Sequence, residues 1–152
     1  MKNKFAIIFC LCLTSSIVVV GQKHKTYKYP YYYLIDFNYR IQKSISKSEP
    51  LVINNSREFI DAFGTIPPSE INLHQYVLIP IIKSVGGCSN PIISNIEMIQ
   101  NSELKTIDCA ITIEIAGSCR RLFHINKGIL VRKPPTGYTI NVEFLFIYNK
   151  TR

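Results

Sequence analysis

The sequence predicts a mainly β fold of the α+β class: an antiparallel β-sandwich or curled sheet with one short helix. Apolar segments of strand length recur along the second half of the chain, and turns rich in Gly, Pro, Asn and Ser separate them. Within several segments apolar and polar residues alternate, as on a strand that is buried on one face. A single segment near residue 60 has helical spacing and helix caps instead.

Residues 1–21 have the pattern of a secretory signal peptide, with two lysines before a long apolar run. Val19 and Gly21 occupy the positions that favour small residues before a cleavage point after Gly21. A membrane anchor is the alternative, but residues 14–16 interrupt the run, and about 20 apolar residues are needed to span a bilayer. We therefore expect an exported protein, secreted or periplasmic, with no transmembrane segment after cleavage.

Removing the predicted signal peptide leaves 131 of the 152 residues, the size of one domain. We divide them into a tyrosine-rich strand segment with a polar linker, residues 22–49, and a β-rich domain, residues 50–152. The formal charge falls from +8 to +6 with the two lysines of the signal peptide. This moderate surplus is spread along an exported chain, so we expect no nucleic-acid partner. Binding to an anionic cell-surface polymer stays as an alternative.

Residues 27–42 alternate in a way that predicts one half-buried strand, with an aromatic face that includes Tyr29, Tyr31 and Tyr33. Pro30 places the start of the segment at a sheet edge or before the strand, because proline donates no ladder hydrogen bond. The aromatic face favours packing in the core. Because tyrosine is enriched at interfaces, Tyr29, Tyr31, Tyr32 and Tyr33 are also candidate protein-binding residues.

Residues 56–63 are predicted to form the helix. Asn55 is a suitable N-cap, Glu58 lies three residues later as in a capping box, and Gly64 suits the C-terminal end. The residues that follow, "TIPPSEINLHQ", form a loop. "YVLIPIIK" then predicts a strand that is buried on both faces, with Pro80 at a bulge or an edge. Four further strands lie within "IISNIEMIQ", "LKTIDCAITIEIA", "LFHINKGILVRK" and "YTINVEFLFIY".

Three cysteines remain after removal of the signal peptide. Cys109 alternates with isoleucines on one face of a strand, so we expect it in the core. Cys88 and Cys119 lie in turns, where the backbone can bring two Cα atoms close together. A Cys88–Cys119 disulfide would close a loop of roughly 30 residues and stabilise the fold by about 3 to 4 kcal/mol. Pairing of Cys109 with Cys119 is the alternative, and it would leave Cys88 as a free thiol.

The chain shows no established catalytic or metal-binding pattern. A cysteine hydrolase using Cys88, with His124 and Asn126, can be written down, but its spacing matches no known signature. Paired cysteines or histidines at zinc-ligand spacing are absent, as are the nucleophile-elbow, P-loop and dinucleotide motifs. We therefore expect no catalytic residue, no metal and no cofactor.

Several stretches resemble a known family of exported proteins. "SREFIDAFG", "QYVLIPIIKSVGG" and "GILVRKPPTGYTINVEF" follow one another within residues 50–148, with "GGCSNP" and "SCRR" between the last two. This arrangement resembles the bacterial domain named after the protease-complex subunit PrcB, in its small, cysteine-containing Bacteroidetes-type form. The resemblance implies a β-rich, non-enzymatic accessory domain, whose namesake stabilises an extracellular protease complex. It carries over no functional residue, and Cys109 and the tyrosine-rich segment depart from it.

Together these patterns predict an exported, non-enzymatic protein that binds or stabilises another exported protein. An exposed sheet edge or the tyrosines of residues 27–39 would supply the binding surface.

Overall fold

A computed structural model describes residues 26–29, 32–41, 50–117 and 119–149. The predicted signal peptide, Tyr31 and most of the polar linker lie outside these residues. The described elements, in chain order, are β1 (Thr26–Lys28), β2 (Tyr32–Asp36), α1 (Ser56–Phe63), β3 (Tyr76–Gly87), β4 (Ile92–Asn101), β5 (Thr106–Ala116), β6 (Arg121–Arg132) and β7 (Thr139–Asn149). The predicted β-rich α+β class, with one short helix, is confirmed.

The strands form two sheets. One has four strands in the order β1-β4-β5-β7, and the other has three in the order β2-β6-β3. All neighbouring strands are antiparallel except β5 and β7, which are parallel. The prediction of an antiparallel arrangement is therefore wrong for this pair. Because β6 belongs to the three-stranded sheet, the chain leaves the four-stranded sheet after β5 and returns to it running in the same direction.

Two hydrophobic cores hold three layers together. The sandwich core lies between the sheets and contains the isoleucines of β5, with Ile79 and Ile129 facing them. The helix core lies on the other face of the three-stranded sheet, where Leu78 and Leu130 contact the phenylalanines of α1. Neighbouring residues of β3 and β6 thus point into different cores, which is why the first half of β3 is buried on both faces.

The tyrosine-rich segment does not form the single predicted strand. Its first part, β1, pairs with β4 in one sheet, and its second part, β2, pairs with β6 in the other. Tyr29 lies in the sandwich core and Phe37 in the helix core, although both belong to the same alternating set. The alternation therefore serves two cores, because β1 and β2 belong to different sheets.

The predicted helix is confirmed at Ser56–Phe63, with Asn55 as its N-cap. The Asn55 side chain accepts a hydrogen bond from the Glu58 N–H at 3.0 Å. The Glu58 carboxylate, in turn, accepts from the backbone N–H of Asn54 at 2.6 Å, rather than from that of Asn55 as a standard capping box would require. Gly64 ends the helix with φ at 70°, a left-handed conformation that glycine adopts without a steric penalty.

Pro80 lies on an edge strand without a bulge. The backbone N–H and carbonyl of Leu78 both pair with Ile53, at 2.9 Å each, on the side of β3 away from β6. Backbone direction alternates along a strand, so the nitrogen of Pro80, two residues later, also points away from β6. The proline therefore removes no hydrogen bond from the β3–β6 ladder, which continues unbroken from Tyr76 to Gly87. The bulge in this protein lies in β4, between Ile93 and Asn95.

The predicted Cys88–Cys119 disulfide is confirmed, with its Cα atoms 4.8 Å apart. It lies where β3 ends and β6 begins, at a point that we call the corner, residues 86–89, 116–117 and 119–121. The Cys88 N–H donates to the carbonyl of Ala116 at 2.6 Å, which ties the end of β3 to the end of β5. The disulfide thus joins the β3–β4 connection to the β5–β6 connection, and the chain passes between the sheets in both.

Replacing both Cys88 and Cys119 with Ser should lower the free energy of unfolding by about 3 to 4 kcal/mol, because the disulfide closes a loop in the unfolded chain. Urea denaturation of the oxidised protein and the double variant measures the difference. Reduction of the wild-type protein should reproduce most of the loss. Equal midpoints for the variant and the oxidised protein would contradict a stabilising role.

Gly87→Ala should lower the free energy of unfolding by about 1 to 3 kcal/mol, because overpacking a dense core is costly. A Cβ at this residue would lie 2.9 Å from Ile115 Cγ2 and 3.3 Å from the Ala116 carbonyl oxygen. Gly86→Ala is a matched control, since the nearest atom to its Cβ is 3.9 Å away. Thermal and urea unfolding of both variants test the contrast, and equal losses would refute it.

Candidate functional site

The two predicted binding tyrosines whose side chains are described, Tyr29 and Tyr33, do not share one surface. Tyr29 is buried in the sandwich core, where its hydroxyl donates to the Arg132 carbonyl at 3.0 Å and burial raises its pKa. It is therefore a core residue, which corrects its assignment to a binding surface. Tyr33 is exposed and packs edge-to-face against Tyr76, with the ring centroids 5.9 Å apart. Tyr31 lies outside the described residues, and only the backbone of Tyr32, in β2, is described.

The residues of the Cys88, His124 and Asn126 hypothesis are engaged elsewhere. Cys88 is bonded to Cys119 and has no free thiol with which to attack a substrate. The Nδ1 atom of His124 lies 2.8 Å from the Ser84 hydroxyl, directly across the β3–β6 ladder. The backbone carbonyl of Asn126 accepts a hydrogen bond from the backbone N–H of Phe37 at 3.1 Å. The arrangement of Cys88 is that of a structural cysteine.

Cys109 is confirmed as a buried residue among the isoleucines of β5. Burial raises the pKa of its thiol from the ordinary value of 9.0 to about 12, because an apolar environment disfavours the charged thiolate. The thiol therefore stays protonated at neutral pH and is shielded from solvent. A buried neutral thiol of this kind acts as a small hydrophobic side chain.

The free edge of β7 is the most open backbone surface among the described strands. The Thr139 N–H donates to the Lys105 carbonyl at 2.9 Å, and the Asn149 carbonyl accepts from the Gly117 N–H at 2.8 Å. These bonds show that the odd-numbered residues of β7 direct their backbone groups toward β5. The even-numbered residues direct theirs outward, where no described residue pairs with them. They are Ile140, Val142, Phe144, Phe146 and Tyr148.

The C-terminal half of β7 exposes large apolar side chains on both faces of the four-stranded sheet. Leu145 is 41% exposed and Ile147 is 46% exposed, and both lie on the outer face. Phe146 and Tyr148, at 39% and 66%, lie on the inner face, next to the buried Ile113 and Ile115 at the margin of the sandwich core. We call residues 144–148 the apolar edge. Four consecutive exposed apolar residues on an edge strand are characteristic of an interaction surface.

The other edge strands that the structure describes are protected. β1 has three residues and β2 has five, and short edge strands offer little backbone for pairing. β3 is longer, but it contains Pro80, and Ile53 pairs with part of its outer side. β7 has eleven residues in unbroken register with β5, and its apolar edge contains no proline, charge or bulge. Natural sheets guard their edges by these means, and the apolar edge has none of them.

The outer face of the four-stranded sheet is acidic around β7. Asn141 donates to the Asp108 carboxylate at 2.8 Å, and Asn149 donates to that of Glu114 at 3.2 Å. Glu97 and Glu143 lie on either side of Ala110 in the strand register, and neither carboxylate is paired with a described residue. On the inner face, the ammonium group of Lys83 lies 4.8 Å from the centroid of the Phe144 ring. The charged groups therefore lie beside the exposed residues 145–148, and Lys83 contacts Phe144 at the start of the apolar edge.

Sequence reasoning located β7 but missed its edge position. Apolar residues on both parities in "FLFIY" are ordinarily a sign of burial on both faces. The position of β7 at the end of a sheet depends on the parallel pairing with β5, for which the sequence carries no local signal. A long apolar strand near the end of the chain was the available clue.

Within the part of the chain that the structure describes, no group of three or more His, Cys, Asp or Glu side chains could hold a metal ion. None of the described helices is long and apolar enough to cross a membrane. No protein-family model, curated protein or solved structure matches this chain.

The buried Cys109 thiol should make the protein less stable as the pH rises from about 9 to about 12. The unfolded thiol ionises in this window while the folded thiol stays protonated. The contribution of the neutral, buried thiol to the free energy of unfolding is therefore fully present below pH 9. It is lost toward pH 12, at up to about 1.4 kcal/mol per pH unit. Urea unfolding of the wild-type protein and Cys109→Ala across this window measures the effect. A free energy of unfolding that falls as steeply with pH in the Cys109→Ala variant would contradict this prediction.

Proposed function

We propose that this chain is an exported, non-enzymatic interaction protein that accepts an extended segment of another exported polypeptide along the free edge of β7. The proposal rests on one observation, which is that β7 is a long edge strand with two unused features. Its outward backbone groups have no described hydrogen-bond partner, and four of its apolar side chains are exposed. The amino-terminal export pattern supports the cellular location. The disulfide is compatible with an oxidising compartment.

Strand addition suits this edge because it uses what β7 leaves unpaired. An incoming strand would hydrogen-bond to the outward N–H and carbonyl groups of the even-numbered residues, each bond contributing about 0.5 to 1.5 kcal/mol. Its alternate side chains would cover Leu145 and Ile147 on the outer face, and Phe146 and Tyr148 on the inner face. Backbone pairing would supply general affinity, and the side-chain contacts would supply selectivity.

The rest of the structure supports a binding role through rigidity. β5, to which β7 is bound along its whole length, is anchored by isoleucines in the sandwich core and by the corner at its end. A preformed edge pays little ordering entropy on binding. The resemblance to PrcB-like accessory domains agrees with a role in stabilising a partner, and no step of that role requires a catalytic residue.

A matched pair of substitutions at Phe146 tests the proposal. Phe146→Pro removes an outward N–H without removing a hydrogen bond to β5, whereas Phe146→Thr removes the same ring and keeps the N–H. We expect proline to weaken partner binding by about tenfold or more relative to threonine, through the lost bond and the obstructed edge. The measurement is capture of native envelope proteins on each immobilised variant, followed by quantitative mass spectrometry.

Thermal unfolding of both variants confirms that each has folded before capture is compared. A captured protein that is retained by Phe146→Thr and depleted by Phe146→Pro supports strand addition. Capture that is equal on the two variants, with self-association that is also equal, would show that binding does not use the β7 edge.

A further inference from the structure

The apolar edge and its flanks form a nearly symmetric sequence about Leu145. Residues 141–149 read "NVEFLFIYN". Asn141 and Asn149 lie four residues on either side of Leu145, and Phe144 and Phe146 lie next to it. A strand with this arrangement presents similar side chains in both directions. In a two-fold contact through Leu145 each residue of one copy meets its mirror position in the other. The near symmetry therefore places Phe144 opposite Phe146 and Asn141 opposite Asn149.

The backbone directions of β7 agree with the same symmetry centre. An antiparallel copy of β7, related by a two-fold axis through Leu145, places Phe144 opposite Phe146 and Val142 opposite Tyr148. These are the even-numbered residues, whose N–H and carbonyl groups point outward. Antiparallel strands exchange two hydrogen bonds at every second residue pair. The even-numbered residues would therefore all find partners in this register, and a shift by one residue would place them opposite odd-numbered ones.

The side chains also fit this register. On the outer face, Leu145 would meet its own copy, and Ile147 would meet the hydrocarbon part of Glu143. On the inner face, Phe144 would meet Phe146, and such aromatic pairs stabilise contacts between neighbouring strands. Three of the four exposed apolar residues, Leu145, Phe146 and Tyr148, would gain an apolar neighbour.

The charges allow the contact. Glu143 would lie opposite Ile147 of the second copy, so the two Glu143 carboxylates would be four residues apart along the strands, at about 13 Å by the rise of a β-strand. At that separation salt largely screens their repulsion. No described residue of β7 brings like charges opposite each other in this register.

We infer that the polypeptide received by β7 is β7 of a second copy of this chain, so that two four-stranded sheets join into one continuous sheet of eight strands. This inference rests on the proposed function, since it names the occupant of the same edge. The closed, two-fold contact also satisfies both edges at once and leaves neither β7 open to further addition.

Sedimentation equilibrium of the purified, oxidised protein tests the inference, because no other molecule is needed. The wild-type protein should be a dimer at high concentration. Leu145→Lys and Leu145→Glu should each be monomeric, with dissociation constants raised at least about tenfold, because like charges would meet at the two-fold axis. Ile92→Lys is the matched control: it adds the same charge at an exposed apolar residue on the outer face, away from β7, and should remain a dimer.

Mixing Leu145→Lys with Leu145→Glu should restore dimers, since only the pairing of residue 145 with itself places these two side chains opposite each other. Circular dichroism establishes that each variant is folded. A monomeric wild-type protein, a dimer that resists both substitutions, or a mixture that stays monomeric would each overturn the inference. If the wild-type protein is monomeric but partner capture depends on the N–H of residue 146, the inference fails and the proposed function stands. If neither self-association nor partner capture depends on β7, the inference and the proposed function both fail.

Discussion

The packing of Gly87 against Ile115 at the corner is the constraint on which the rest of the structure depends. The last residue of β3 lies so close to β5 that a Cβ at Gly87 would be only 2.9 Å from Ile115 Cγ2. The neighbouring residue, Cys88, is bound to Cys119 through its sulfur and to Ala116 through its N–H. Three strand ends, from two different sheets, are thereby held at one point. The faces of the two sheets are brought together around the isoleucines of β5, and the sandwich core forms between them.

This constraint determines where β7 can lie. β5 is already paired with β4 on one side, and the chain must leave it for the other sheet to form β6. When the chain returns, only the second side of β5 is open, and the direction of return makes the pairing parallel. The last strand therefore closes the sandwich core with its inner residues, while its outward backbone groups are left at the edge. The apolar edge is a consequence of this chain path.

The edges of the two sheets differ in a way that separates structural from binding roles. β1, β2 and β3 are short, or contain proline, or are partly covered, so that they resist pairing with other chains. β7 has the length and regularity of an interior strand and the exposure of an edge strand. A monomer that leaves such a strand open is prone to aggregation. Occupation of the edge by a specific polypeptide removes that hazard, and it gives a physical reason for the apolar residues to be there.

The sequence by itself determined the local features of this protein. Alternation and turn residues located the strands, and the caps at Asn55 and Gly64 located the helix, because each of these depends on residues close in sequence. The turns around Cys88 and Cys119 favoured their disulfide, since a turn lets the backbone bring two Cα atoms close together. Only the tertiary structure decided that the tyrosine-rich segment divides between two sheets, that Tyr29 is buried, and that β7 runs parallel to β5 at an open edge. Those features depend on which strands meet across the corner, and distant pairing leaves no periodicity in the chain.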